Sequence, residues 1–316
     1  MKRFNVVVTN NLLVPCFFLI DCLLLVGLIV LWYFLVFTDS FRQHLPYIAC
    51  QDVPYYSFPN LDGRVPEIVV YVLSFVLPPV VVLFGEAALS VYSLQGYRSP
   101  GADKTVITLG VRMHPIIRRT VRFVGLFLFG CFSTWVLSRT TQLITSQPSP
   151  YFFAECAAVP GTSCTGSQVV LELPECEGSN DDEARQSFPS LYASLSAYSA
   201  VYSGVYITSL LVLTSAKSVR PMLFLLILTI PYILGLERIS YYKNSWTDVI
   251  GGWILGGVIG AYMSIHVLHC FRGSLTPSRI KEYYADNAHY SPELNGNKRF
   301  DRDYYRESQR SVRGRI

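Results

Sequence analysis

Three short polar segments hold most of the residues whose types and spacing could do chemistry. They are residues 142–150 (QLITSQPSP), 187–192 (SFPSLY) and 237–248 (ERISYYKNSWTD). If brought together they form one shallow site, with hydroxyls, amides, Glu237, Arg238 and Asp248. What they lack is equally clear. The five histidines are His44, His114, His266, His269 and His289, and none lies between Gln142 and Asp248. An asparagine amide such as Asn244 has no basic lone pair with which to open a nucleophilic reaction. A tyrosine such as Tyr192 gives up its proton weakly near neutral pH, because a phenol titrates near 10.

The elements that must position these segments are apolar. Several stretches run on with almost no charge, and a helix needs about 20 such residues to cross the hydrocarbon core. Six are expected, at roughly residues 12–37, 67–92, 121–144, 190–213, 221–236 and 249–270. The first begins well inside the chain and lacks a small-residue cleavage site, so it reads as a retained helix rather than a signal peptide. It contains Asp21, expected to pair within the bundle. The second contains Pro78-Pro79, which kink a span without ending it, and Glu86, expected to snorkel toward headgroups. The third carries Arg139 near its end. The fourth is rich in Ser, Ala and Tyr, which suits a helix buried among others. The sixth carries Gly251, Gly252, Gly256, Gly257 and Gly260, a face for close packing. The three polar segments then fall at one end of the third, fourth and sixth spans. The expected fold is all-α, a six-transmembrane helical bundle: residues 1–11 an N-terminal segment, 12–270 the bundle, and 271–316 a basic and aromatic tail expected to be disordered.

Charge orients the bundle. Lys2, Arg3, the 94–122 connection with Arg98, Lys104, Arg112, Arg118, Arg119 and Arg122, and Lys217 with Arg220 fall on one side, which marks it and both termini as cytoplasmic. The opposite side carries Glu155, Glu172, Glu175, Glu177, Asp181, Asp182 and Glu183. It also holds Cys50, Cys156, Cys164 and Cys176, enough for two disulfides in any of three connectivities on an oxidising side. Cys16, Cys22, Cys131 and Cys270 fall in or near spans as packing residues. No zinc-finger spacing, RNA-binding signature or glycine-rich phosphate loop is present, and a net charge of +4 makes no case for nucleic acid. No cofactor and no metal site is expected. Tyr241, Tyr242 and Trp246 suit anchoring at the headgroup level.

The three segments, in order on helix ends, resemble the phospholipid phosphatase superfamily over roughly residues 10–272. Working members have a lysine and an arginine-proline pair in the first segment, Pro-Ser-Gly-His in the second, and Ser-Arg, His and Asp in the third. The resemblance implies that the third-segment histidine attacks phosphorus, the second-segment histidine protonates the leaving alcohol, and the basic residues with the Ser-Gly backbone hold the phosphoryl oxygens. On this chain Pro150, Pro189, Ser190, Arg238 and Asp248 match. The lysine falls on Gln142, the arginine on Ser149, the glycine on Leu191, the first histidine on Tyr192, the serine on Glu237 and the nucleophilic histidine on Asn244. Gln142 and Ser149 remove two positive charges from a site that stabilises a phosphoryl group, and Glu237 adds a negative one. Leu191 adds a side chain where a glycine backbone approached phosphate. Arg238 alone does not rebuild an anion clamp, and Arg238 with Asp248 is expected to form an ion pair at the rim.

The segments RFVGLFLFGCFST (122–134), SPYFFAEC (149–156) and SFPSLYASLSAYSAVY (187–202) are similar to the phospholipid phosphatase-related, or plasticity-related, proteins, a non-catalytic branch. That resemblance implies a plasma-membrane protein, often neuronal, linked to filopodia, neurite growth and lysophospholipid signalling. Its implied partners are membrane lipids, lysophospholipids, related proteins in homo- or hetero-oligomers, and a cytoplasmic partner for the tail. The expected function is interaction without catalysis. The competing readings are an active lipid phosphate phosphatase, opposed by the lost residues, and a lipid transporter, for which Asp21, Glu86 and Arg139 are the only hooks.

Overall fold

The computed structural model describes residues 13–38, 47–94, 106–108, 111–113, 115–155, 170–172, 184–210 and 218–268. The chain is mostly helical: α1 (Leu13–Phe37), α2 (Glu67–Phe75), α3 (Leu77–Leu94), α4 (Pro115–Thr145), α5 (Phe152–Glu155), α6 (Leu191–Leu210), α7 (Val219–Ser240) and α8 (Trp246–Ala261). A π-helical turn, Tyr262–Val267, prolongs α8, and a 3-10 segment, Cys50–Tyr56, lies between α1 and α2. Four short strands form two antiparallel pairs. β1 (Tyr47–Ala49) pairs with β4 (Val170–Glu172), and β2 (Val106–Thr108) with β3 (Val111–Met113).

Among the described residues, four helices are long and apolar enough to cross a membrane: Glu67–Ala88, Ile117–Thr145, Val219–Ser240 and Trp246–Val267. α1 contributes a shorter apolar stretch, Leu19–Leu35. The chain is therefore a multi-pass membrane protein, while the expected count of six is not reached by length and apolarity. α6 has the length, but its surface is Ser and Tyr, and Leu191–Ala200 is buried without a break. It is the hub, in contact with α2, α3, α4, α7 and α8. Apolar side chains such as Leu23, Phe84, Leu225 and Val258 stay exposed on the outer helices, as expected of surfaces that meet lipid.

Two kinds of contact hold α6 in place. Tyr198, Tyr202 and Tyr206 repeat every four residues on one face. Their hydroxyls donate to Phe127 O (2.9 Å), Phe123 O (2.7 Å) and Val82 O (3.2 Å), so each large ring is buried with its polar end satisfied. Against α8, small residues bring backbones together. A Cβ on Gly252 would lie 2.6 Å from Ser190 O, and one on Gly256 1.9 Å from Ser194 O.

The Pro78-Pro79 pair interrupts the helix only at Val76, between α2 and α3, and the span runs on across it over Glu67–Ala88, as expected. Pro78 cannot bond the Ser74 carbonyl, and Ser199 Oγ on α6 donates to that carbonyl instead (2.6 Å). Two expectations change. Glu86 does not snorkel: it is 1% exposed, 3.6 Å from Arg119, and accepts from the Tyr206 hydroxyl (3.4 Å). Asp21 does not pair inside the bundle, because it is exposed on α1. Cys131 is fully buried in the α4–α6 core, and Cys22 is partly buried. Cys16 begins α1 without a described side chain, and Cys156, Cys164, Cys176, Cys270 and the tail lie outside the described residues.

Candidate functional site

The end of α4, the start of α6 and the turn between α7 and α8 converge at one end of the bundle, beside α2. They enclose a cavity of about 40 Å³, room for only a few water-sized groups. The first segment and its helix contribute Arg139, Gln142 and Ser149, with Tyr151 just beyond; the second contributes Ser187, Leu191 and Tyr192, with Gln186 just before it, and the third contributes Arg238, Lys243 and Asn244. Tyr71 of α2 completes the wall.

Asn244 is buried and has both ends of its amide occupied. Its Oδ1 accepts from Arg238 Nε (3.1 Å) and Ser190 Oγ (3.3 Å). Its Nδ2 donates to Ser187 O (3.1 Å) and Ser187 Oγ (3.4 Å). The amide thus ties the second segment to the third. Asp248 stands behind it. Its Oδ2 accepts from Ser187 Oγ (2.5 Å) and from the Ser245 backbone N–H (2.8 Å), while Ser245 Oγ accepts from Asp248 N–H. This capping box fixes the first turn of α8. The expected ion pair between Arg238 and Asp248 is absent for that reason: the carboxylate folds back onto its own helix start. Arg238 lies instead 3.9 Å from Glu67 and 4.3 Å over the Tyr192 ring.

The other predicted positions divide between cavity wall and frame. Gln142 is buried. Its Nε2 donates to Pro189 O (2.8 Å), and its Oε1 accepts from Arg139 (3.3 Å). Ser149 is buried, with its N–H donated to Ala184 O (2.8 Å) and its Oγ without a partner among the described residues. Leu191 packs into the helical core. Ser190 donates its N–H to Asp248 O (2.9 Å). Pro150 and Glu237 do not line the cavity. The Pro150 carbonyl accepts from Phe58 N–H (3.1 Å), and Glu237 Oε1 accepts from Val65 N–H (3.2 Å).

The sequence pattern of the PAP2 superfamily matches residues 123–271, which contain all three segments. Phospholipid phosphatase-related protein type 1 of Danio rerio is 32% identical over 289 residues, covering 85% of this chain and 84% of that protein. The type 1 protein of Homo sapiens is 32% identical over 290 residues, at 85% and 86% coverage. The chain belongs to the phospholipid phosphatase-related family. The type 2 protein of Homo sapiens is a further relative, 31% identical over 278 residues at 82% and 80% coverage. No solved structure matches the chain.

Within this phospholipid phosphatase-related frame, two cationic cavity residues were not among the site residues read from the sequence. Arg139 lies one helical turn before Gln142, on the same face of α4, so its guanidinium reaches the wall that Gln142 occupies. It donates to both Gln142 and Gln186, and its buried Nε has no partner among the described residues. Lys243 precedes Asn244, with its ammonium 5.0 Å over the Tyr151 ring. Arg238 is therefore not the sole cation: Arg139, Arg238 and Lys243 all line the cavity, and among the described residues no carboxylate does. A spacing of three from Gln142 was the available signal for Arg139. Nothing in the motif pattern pointed to Lys243. Chemically, the wall can hold a small anion through charge-assisted hydrogen bonds. Among the described residues no imidazole lines the cavity.

Proposed function

We propose that this chain is a catalytically silent member of its family that works by interaction, holding a phosphate-bearing lipid headgroup without cleaving it. The observation that carries this reading is Asn244. At the position of the attacking histidine stands a buried amide committed to Arg238, Ser190 and Ser187. It has no basic lone pair, and its hydrogen-bonding capacity is already used. Tyr192, in place of the second histidine, lies packed under Arg238 and beside Tyr71, and a phenol gives up its proton weakly to a leaving alcohol near neutral pH. The cations, and the donors at Ser149 Oγ and Arg139 Nε that have no partner among the described residues, support binding of an anion.

On this reading the cavity end faces the outside of the plasma membrane, and the termini face the cytoplasm. Cys50, which packs with Ile48, Tyr151 and Phe152, forms a disulfide with one of Cys156, Cys164 or Cys176. The bundle spans residues 12–270, and the tail, 271–316, is left for a cytoplasmic partner. The roles expected of the family, in filopodia, neurite growth and lysophospholipid signalling, follow from contact with lipids and with other membrane proteins, including further copies of this family. Phosphate release from lysophosphatidic acid by the purified protein tests the reading. No release, together with retention of the lipid phosphate on the protein, is expected. Release above a protein-free background makes the chain a phosphatase.

A further inference from the structure

The stretch between α1 and α2 carries none of the motif residues, yet it meets the cavity end at several points. Its 3-10 segment, Cys50–Tyr56, brings Tyr55 and Tyr56 against that end. Burial raises both phenols above their ordinary value, and the charge of Asp248 adds to it. Beyond it, Phe58 stacks flat on Tyr242, with centroids 4.2 Å apart and planes 3° from parallel. Tyr242 holds that position in a left-handed backbone conformation, φ 57°, which non-glycine residues seldom adopt. The Phe58 N–H donates to Pro150 O (3.1 Å). Asn60 accepts from the Lys243 ammonium and donates to Glu155. Finally the Val65 N–H donates to Glu237 Oε1 (3.2 Å), and Gly63 passes so close that a Cβ there would lie 2.5 Å from the same oxygen.

We propose that residues 57–66 are a strap held beside the cavity rim that limits access to it, fastened by the Glu237 carboxylate and the Lys243 ammonium. Both fasteners come from the third segment. Glu237 stands where a serine is expected, and its carboxylate is turned away from the cavity and onto the strap backbone. The charge that looked hostile to a phosphoryl group is spent outside the cavity. Lys243 belongs to both parts, since it lines the cavity and holds Asn60. Opening the strap therefore frees a cavity cation as well as the entrance. None of this requires a ligand, so the strap stands apart from the binding reading above.

The test is the rate at which a methanethiosulfonate reagent labels a cysteine placed at Ser149, in the full chain in lipid nanodiscs, where both faces are open to reagent. Labelling of the chain without that cysteine is subtracted. Removing one fastening hydrogen bond by Glu237→Ala or Asn60→Ala is expected to speed labelling roughly five- to ten-fold, through a larger open population. Glu237→Gln keeps a carbonyl oxygen for Val65 N–H and is expected to leave the rate near the starting value. Gly63→Ala is expected to speed it. Hydrogen exchange over residues 57–66 gives an independent reading, faster in Glu237→Ala than in Glu237→Gln. Equal rates in all backgrounds, or no labelling in any, overturn the strap, because something other than Glu237 and Lys243 then limits access.

Discussion

The seam between α6 and α8 is closed by glycines and other small residues, whereas the cavity near its end is lined mostly by long side chains, and the two tolerate change very differently. Along the seam, Gly256 faces the Ser194 backbone with no room for a methyl group. At the cavity, Gln142 of α4, Tyr192 of α6 and Asn244 of the turn before α8 stand where charged or imidazole groups are expected, and each is absorbed into hydrogen bonds or ring contacts. The difference is one of slack. Backbone against backbone cannot adjust, whereas side chains around a small cavity can exchange partners. An architecture can thus persist while the residues around its cavity change.

The comparison breaks most easily at the seam. Gly256→Val should cost about 3 kcal/mol or more, because the clash is with backbone. It should lower the thermal unfolding temperature in detergent sharply, while Gly257→Val, with open space around it, should leave that temperature unchanged. At the cavity the cost should fall on binding. Arg139→Ala or Arg238→Ala should weaken retention of lysophosphatidic acid in nanodiscs by roughly ten-fold each, the scale of one charge-assisted hydrogen bond. Equal retention would remove the anion from the account. Tyr198→Phe tests the other side of α6. Losing the bond to Phe127 O should cost about 1 kcal/mol, read as a small shift in unfolding temperature. Ser149→Ala should have the smallest effect, within about 0.5 kcal/mol, because its Oγ has no partner to lose among the described residues.

Much of this division was legible in the sequence. The apolar runs announce a membrane bundle, the Ser, Ala and Tyr content of residues 190–213 announces its buried centre, and the glycines of α8 announce close packing. The three polar segments also fall around one cavity. What stayed hidden depends on directions that spacing does not specify. Asp248 could have turned to Arg238, but its place in the first turn of α8 commits it to Ser245 and Ser187. Glu237 reads as a charge hostile to phosphate until its carboxylate is seen bonded to the Val65 backbone. Arg139 reads as a charge at a soft helix end until the α4 face turns it toward Gln186. The strap lay furthest from view, because its contacts are mostly backbone groups and a ring stack in a stretch without motif residues.

The central claim is that the cavity holds phosphate without attacking it, and phosphate release from lysophosphatidic acid tests it most directly. Purified chain in nanodiscs should release none above a protein-free control. The Asn244→His variant should also release none, since Gln142, Ser149 and Tyr192 remain and the amide bonds to Arg238 and Ser187 are lost. Sustained release by the unmodified chain, abolished by Arg238→Ala, would contradict the account.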